Sequence, residues 1–251
     1  MNRLQETAGI VAYMRNWPLF FKQYVTQTSK EYRIFEFRDG LKMGFRDRDD
    51  ASIIKETIAL DYYRVRRQGQ PQGVIIDIGA HIGAFTCFAA HCFPRTPVHC
   101  FEPDDANRQW LEKNVAYNLL ENVHVHGDLV TADGRKVNFY RYANTTAGSM
   151  YAQPNMKPTE TLTYPARSLM NILEDYGPCS VLKLDCEGAE FDLLLHTQDK
   201  LLKQIPYFAF EYHEELTGRK KEELVRRGQS LGFRVQEMRG EPIMYWEKSK
   251  R

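Results

Sequence analysis

Four short stretches bring acids, glycines, a lysine and a histidine together at spacings that could do chemistry: Asp77-Ile78-Gly79-Ala80-His81-Ile82-Gly83, Phe101-Glu102-Pro103, Lys183-Leu184-Asp185-Cys186-Glu187 and Glu211-Tyr212-His213. The first follows the apolar run "VIIDI" and opens another apolar run, so it reads as a strand-to-helix turn. Glycine at 79 and 83 lets such a turn tighten with its amides toward a ligand, and a helix starting near Gly83 adds a positive dipole end. Asp77 complicates a phosphate site, because a carboxylate repels pyrophosphate and attracts an ammonium or sulfonium. Glu102 ends the next strand, where an acid can accept two hydrogen bonds from a ribose diol. Two acids at successive strand ends suit a nucleoside with a cationic amino-acid tail, and S-adenosylmethionine is that molecule. Tight strand–helix packing would explain the glycines alone but not the acids. His81 stays open between a ligand contact and a residue that fixes the local backbone.

The other two stretches offer proton chemistry. Side-chain alternation puts Lys183 and Asp185 on one side of a strand, where charges in an apolar run are costly unless paired or functional. A structural Lys183–Asp185 pair is the alternative. Glu187 and Glu190 fall in the following turn, where acids also favour a helix N-terminus. Glu211 and His213 share a face if their strand runs on. An imidazole near its ordinary pKa of ~6.5 accepts a hydroxyl proton at neutral pH, and a neighbouring carboxylate sets its tautomer. His213 is therefore the candidate base, assisted by Glu211. Asp185, Glu187 and Glu211 could ligate magnesium, yet a metal-independent site is expected.

A nicotinamide-dependent oxidoreductase is the rival from another class. Its fingerprint is GxGxxG, whereas this loop reads GxxxG, and none of the fourteen tyrosines has a lysine four positions on. A cofactor-binding subunit without catalytic activity is a second alternative.

These groups need a sheet to position them. Buried-type strands are expected at 74–78, 97–102, 122–126, 180–185 and 206–211, with helical stretches after most of them. That alternation implies an α/β fold, a doubly wound, mostly parallel sheet. Residues 136–166 read as a β-rich excursion near the site, and "GFRVQEMRGEPIMYWEK" as a terminal antiparallel strand pair. Upstream, apolar positions around Ile10, Val11, Met14, Phe20 and Phe21 are helix-compatible, a hairpin turns at Asp39-Gly40 with a type I′ geometry, and a helix covers about 51–65. The expected organisation is an N-terminal extension over 1–70 and a main domain over 71–251.

"VIIDIGAHIGAFT", "CFEPDDANRQWLEKNV", "VLKLDCEGAEFDLL" and "FEYH" together resemble the FkbM-type methyltransferases, S-adenosylmethionine-dependent enzymes of the class I Rossmann-like fold that mostly methylate hydroxyls of sugars and natural products. The resemblance covers roughly residues 30 to 215. It implies Asp77, Gly79, Ala80, His81 and Gly83 around the methionine end, Glu102 and Pro103 at the ribose, and Asp128 and Leu129 near adenine. Turn capping before Asp133-Gly134 is an equal reading of Asp128. On the acceptor side stand Glu187, Asn144 and Ser149, with the aromatics of "VNFYRYANTTAGSMY" as a wall for sugar faces. The implied reaction is O-methylation of a saccharide or glycosylated metabolite. The fourth strand carries no Asn/Asp-Pro-Pro-Tyr/Phe block, which argues against exocyclic amines of nucleic-acid bases.

Charge and cysteines set the outer bounds. Lys plus Arg number 34 and Asp plus Glu 33, a net charge of +1, so no broad field favours nucleic acid or an anionic membrane. Five cysteines, odd in number and without a CxxC pair, fit reduced thiols in a cytoplasm. No apolar segment reaches ~18 residues. The expected partner is a small or saccharide acceptor; the oligomeric state is open, a homodimer included.

Overall fold

The computed structural model describes residues 3–25, 33–142, 148–153 and 155–248. Its organising element is β3 (Val74–Ile78), whose five residues are all buried, as expected of an apolar, β-branched run covered on both faces. Around it lie β4 (Val98–Phe101), β5 (Val123–His126), β10 (Cys179–Leu184), β11 (Tyr207–Glu211), β12 (Arg234–Glu237) and β13 (Ile243–Glu247). The sheet order is β12-β13-β11-β10-β3-β4-β5. Five neighbouring strands are parallel, and β13 runs antiparallel to both β11 and β12. The expected strands fall within a residue or so of these bounds.

Strand alternation sorts the core into two layers. Ile75, Val181, Tyr207, Ala209 and Tyr245 face one layer. Ile76, Ile78, Leu182, Leu184, Phe208, Phe210 and Trp246 face the other. Helices α4 (Ala84–Cys92) and α5 (Asp105–Tyr117) follow β3 and β4, while α6 (Leu169–Asp175) leads into β10 and α7 (Ala189–His196) leaves it. Short α8 (Asp199–Leu202) and α9 (Glu214–Thr217) and the longer α10 (Lys221–Ser230) complete the helical layers. Strand order reverses between β10 and β4 on either side of β3, which opens a crevice at the carboxyl ends.

The N-terminal elements share the first layer. Helices α1 (Arg3–Tyr13) and α2 (Trp17–Val25), the hairpin β1 (Arg33–Glu36) and β2 (Lys42–Phe45), and α3 (Arg48–Ile54) place Ile10, Met14, Phe35, Phe45 and Ile54 in one apolar cluster with Phe85 and Phe88 of α4. Fully buried Asn114 of α5 ties the hairpin to the β3–α4 loop: it accepts from Gly44 N (2.7 Å) and donates to Gly44 O (3.1 Å) and Ile82 O (2.9 Å).

Two local expectations need correction. The hairpin forms, but Phe37 N donates to Leu41 O and only Gly40 of the turn has positive φ, so the loop is three residues long and not type I′. The helix expected over 51–65 starts at Arg48, because Asp47 accepts from the amides of Asp49 and Asp50 as its N-cap. It passes into a π turn over Lys55–Ala59 and ends there; Asp61 and Arg64 adopt left-handed backbone.

The excursion after β5 is β-rich, as expected. A parallel pair, β6 (Leu129–Thr131) with β9 (Ala166–Ser168), flanks an antiparallel pair, β7 (Val137–Arg141) with β8 (Glu160–Tyr164). Among the described residues no helix is long and apolar enough to cross a membrane.

Candidate active site

A cavity of about 340 Å³ opens at the carboxyl ends of β3, β4, β10 and β11. Its floor is the β3–α4 loop, and the loop's hydrogen bonds correct one expectation. The amides of Gly79 and Ala80 donate to Phe101 O (3.0 and 3.1 Å), Gly83 N donates to Ala80 O, and His81 N donates to Glu102 Oε2 (2.8 Å). These four amides serve the fold and are not offered to a ligand. Gly79 is required for a different close approach: at φ +76, a Cβ would stand 1.8 Å from Asp185 O on the neighbouring strand's exit. Gly83 caps α4 and packs against Leu111 rather than lining the cavity.

Asp77 also departs from its expected place. It points from β3 into the layer under the loop, fully buried, with Oδ2 accepting from Thr86 Oγ1 (2.6 Å) and Oδ1 lying 3.0 Å from Lys183 Nζ. It is the counter-ion of Lys183, not an open tip that grips an ammonium. Lys183 donates to Gly79 O (2.7 Å) and lies 3.9 Å from Asp185. Burial alone would lower this ammonium's pKa, but Asp77 and then Asp185 hold it above the ordinary value. The expected structural pair exists with a changed partner: Asp77 first, Asp185 second.

Gly79, Ala80, His81, Glu102, Pro103, Asp128 and Leu129 do line the cavity together. Burial pushes the Glu102 carboxyl up to about 7, although it accepts from the amides of Asp104 and His81. Burial lowers His81 to about 4, so its ring is neutral. The Arg46 guanidinium, which can only donate, lies 3.0 Å from His81 Nε2, which leaves the proton on Nδ1. That Nδ1 is buried and has no hydrogen-bond partner among the described residues. An orphaned donor beside an acid at the tip of β4 fits a polar nucleoside with hydroxyl groups, and these residues can hold S-adenosylmethionine.

Beyond β10 and β11 lies a carboxylate cluster. Asp185, Glu187 and Glu211 line the cavity, with His213 (7% exposed) behind them. His213 Nε2 lies 3.7 Å from Glu211 Oε1 and 3.8 Å from Glu187 Oε2, and Nδ1 lies 3.4 Å from Glu190 Oε1. Burial works against its charge, yet Glu190, Glu187 and Asp185 together raise its pKa well above the ordinary value. An imidazole already protonated cannot take a hydroxyl proton, so the expectation of His213 as base is corrected: it is the cation that holds the cluster. Burial, then repulsion from Asp185, raises Glu211 to about 8; burial raises Glu187 to about 7, partly relieved by His213.

Among the described residues, Asp185, Glu190 and His213 bring ligand atoms within 4.8 Å of one another. Glu190 already uses both oxygens on the amides of Cys186 and Gly188, and His213 is cationic, so the trio fits a charge pair better than a metal site.

Ser149 is a structural clip: 1% exposed, it donates to Glu187 O (2.5 Å) and accepts from Tyr151 N. Asn144 lies outside the described residues. Of the aromatics expected as a wall, Phe139 lines the cavity, beside Met150, and Tyr140, Tyr142 and Tyr151 do not.

Several site residues escaped the sequence reading. Tyr63 donates its hydroxyl to Asp185 Oδ2 (3.0 Å) across 122 residues of sequence. Arg46 grips fully buried Asp50 through Nε and Nη2 (2.8 Å each) and reaches Asn107 and His81. Asp49, Ser52, Ile53, Glu56 and Thr57 form a further wall. Only the Arg46–Asp50 spacing of four is visible in the sequence.

The model of the methyltransferase FkbM domain matches residues 77–235. No curated protein matches the chain. Similar solved structures include a precorrin-6y C5,15-methyltransferase from Geobacter metallireducens, at 13% identity over 82% of this chain and 90% of that one, TM-score 0.44. An rRNA methylase from Streptococcus thermophilus matches at 11% identity over 77% and 96%, TM-score 0.46. A structure from Streptococcus mutans in complex with SAH matches at 14% identity over 76% and 97%, TM-score 0.45. None of these three likenesses bears on the acceptor. The family match spans well over half of the chain, including the β3–α4 loop, Glu102 and the carboxylate cluster: the chain belongs to the FkbM methyltransferase domain family and is an S-adenosylmethionine-dependent methyltransferase.

Proposed function

We propose that this methyltransferase acts on oxygen, methylating a hydroxyl of a saccharide or glycosylated natural-product metabolite. One observation carries the reading: the Glu187 and Glu211 carboxyls face the cavity at the tips of β10 and β11, backed by the His213 cation. A hydroxyl is a weak nucleophile until a base removes its proton as attack proceeds, and these carboxyls, with pKa values near neutrality, are matched to that task.

S-adenosylmethionine, when bound, supplies an electrophilic methyl. The chain's residues do the rest. Glu102 and His81 Nδ1 offer an acceptor and a donor to the nucleoside, and Lys183, held by Asp77, braces the carbonyl of Gly79 in the loop. Tyr63 fixes Asp185 through its hydroxyl. The Glu187–Glu211 pair receives the acceptor proton in its ionised form, and His213 keeps the two carboxyls close by offsetting their repulsion. Alignment and base assistance, the latter worth ~10²–10⁴-fold, are the two contributions asked of the protein.

The test is methyl transfer from labelled S-adenosylmethionine to a panel of glycosides, with the product's methyl position assigned by NMR. An O-methyl glycoside formed equally well in excess chelator supports the reading. An N- or C-methyl product, or cofactor binding with no turnover on any acceptor, overturns it; the latter would favour a non-catalytic subunit.

A further inference from the structure

The α3 wall carries a second property of the same cavity. Asp49, Ser52, Ile53 and Glu56 recur at helical spacing and line the cavity, beside the buried stripe of Asp50, Ala51 and Ile54, so the face that α3 turns to the cavity is mostly polar. The π turn over Lys55–Ala59, closed by Leu60 N donating to Lys55 O (3.0 Å), extends that wall. It sets consecutive Glu56 and Thr57 on the cavity while Ile58 enters the core and Lys55 turns away to Glu6 (2.6 Å). Single π turns occur often at functional sites.

Charge decides what such a wall can receive. Asp49 and Glu56 stand in a cavity whose other walls carry Asp185, Glu187 and Glu211. Among the described residues the one ammonium lining it, Lys183, is committed to Asp77 and Gly79 O. Arg46, nearby, is committed to Asp50. Lys55 approaches Glu56 at 3.1 Å and Ser52 donates to it at 2.9 Å, both at the same oxygen, Oε1. The cofactor's net charge of one and the His213 cation behind Glu187 and Glu211 offset only part of this excess. An acceptor bearing a carboxylate or phosphate would meet like charge on both walls, which disfavours its binding.

We propose that the α3 face and its π turn select an acceptor that carries a protonated amine among its hydroxyls, of the amino-sugar class, and exclude carboxylated and phosphorylated sugars. This rests on the O-methylation reading and names its substrate class.

The experiment measures binding of methyl glucosaminide, methyl glucoside and methyl glucuronide to the full chain saturated with SAH, by calorimetry. The glucosaminide is expected to bind at least about tenfold more tightly than the glucoside, with the glucuronide weakest. In the double variant Asp49→Asn, Glu56→Gln, saturated with SAH, the preference should fall to within about threefold while the urea unfolding midpoint, which serves as the folding control, stays near the wild-type value. Glucuronide bound as well as glucosaminide, none of the three bound, or a preference unchanged in the double variant would overturn the inference and leave O-methylation standing. Failure of SAH itself to bind would instead strike at the methyltransferase reading.

Discussion

Lys183 and Asp77 are direct partners in the β10–β3 register, and their side chains meet 3.0 Å apart in the buried layer beneath the β3–α4 loop. The pair crosslinks the two central strands where the sheet's order reverses, and the lysine's contact with Gly79 O passes that order to the cavity floor. Removing one partner leaves the other buried and unpaired. Lys183→Met and Asp77→Ala should each cost about 3–5 kcal/mol in urea unfolding, and the combined variant no more than either alone. Additive losses would show that the two charges do not depend on each other.

Gly79 is the loop position with no tolerance. Gly79→Ala must place a methyl 1.8 Å from Asp185 O at φ +76, so a loss of more than about 3 kcal/mol is expected, with cofactor binding abolished. Gly40→Ala is the control: φ is +97 but nothing stands within 4 Å, and about 1–2 kcal/mol is expected from the backbone alone. Equal losses at the two positions would refute the close approach.

The carboxylate cluster should make stability depend on pH. Glu187 and Glu211 have folded pKa values of about 7 and about 8, above their ordinary 4.5. The folded state therefore holds extra protons between these values, and its stability falls as pH rises from about 4.5 to about 8. His213, raised above 6.5, adds a stabilisation that is complete below 6.5 and lost as pH climbs through its folded pKa. Melting temperatures across this range should decline in the wild type and flatten in Glu211→Gln. For turnover, Glu211→Gln removes a proton acceptor and His213→Gln the cation behind it; both should keep SAH affinity and lose most activity, and full activity in both would remove the cluster from the mechanism.

Glu102 should govern cofactor affinity. Two charge-assisted hydrogen bonds to a ribose diol are lost or weakened in Glu102→Gln, and SAH affinity should drop about ten- to a hundredfold. Because the wild-type carboxyl titrates near 7, its SAH affinity should fall as pH drops below that value, while the glutamine variant shows no such slope. Calorimetry from pH 5.5 to 8.5 checks both.

Arg46 should couple the N-terminal elements to the same affinity. It supplies the donor to His81 Nε2 and neutralises fully buried Asp50. Arg46→Met is expected to cost about 2 kcal/mol or more of stability and to weaken SAH binding. Unchanged SAH affinity would confine Arg46 to a structural role.

Much of this molecule is legible in the sequence by itself. "VIIDI", "VLKLD" and "YFAFE" are buried on both faces because all but Asp77, Lys183, Asp185 and Glu211 in them are uncharged and mostly apolar, and the turns after them hold the glycines and acids that mark the crevice. Glycine at 79 and 83, Glu102 and Asp185 sit where strand and turn spacing place them, since those depend on a few neighbouring residues. Partner and charge state do not. Asp77 reads as an open strand tip until Lys183 arrives from 106 positions on to occupy it. His213 looks like a free base until Glu190, Glu187 and Asp185 gather around it and keep its proton. Tyr63, Arg46 and the polar face of α3 belong to the site only because the N-terminal elements pack against α4 in a common core. Local pattern thus set the elements and the residue types at their ends. Which charges are neutralised, and by what, is an electrostatic sum over neighbours drawn from the whole chain, and only the packed tertiary structure contains it.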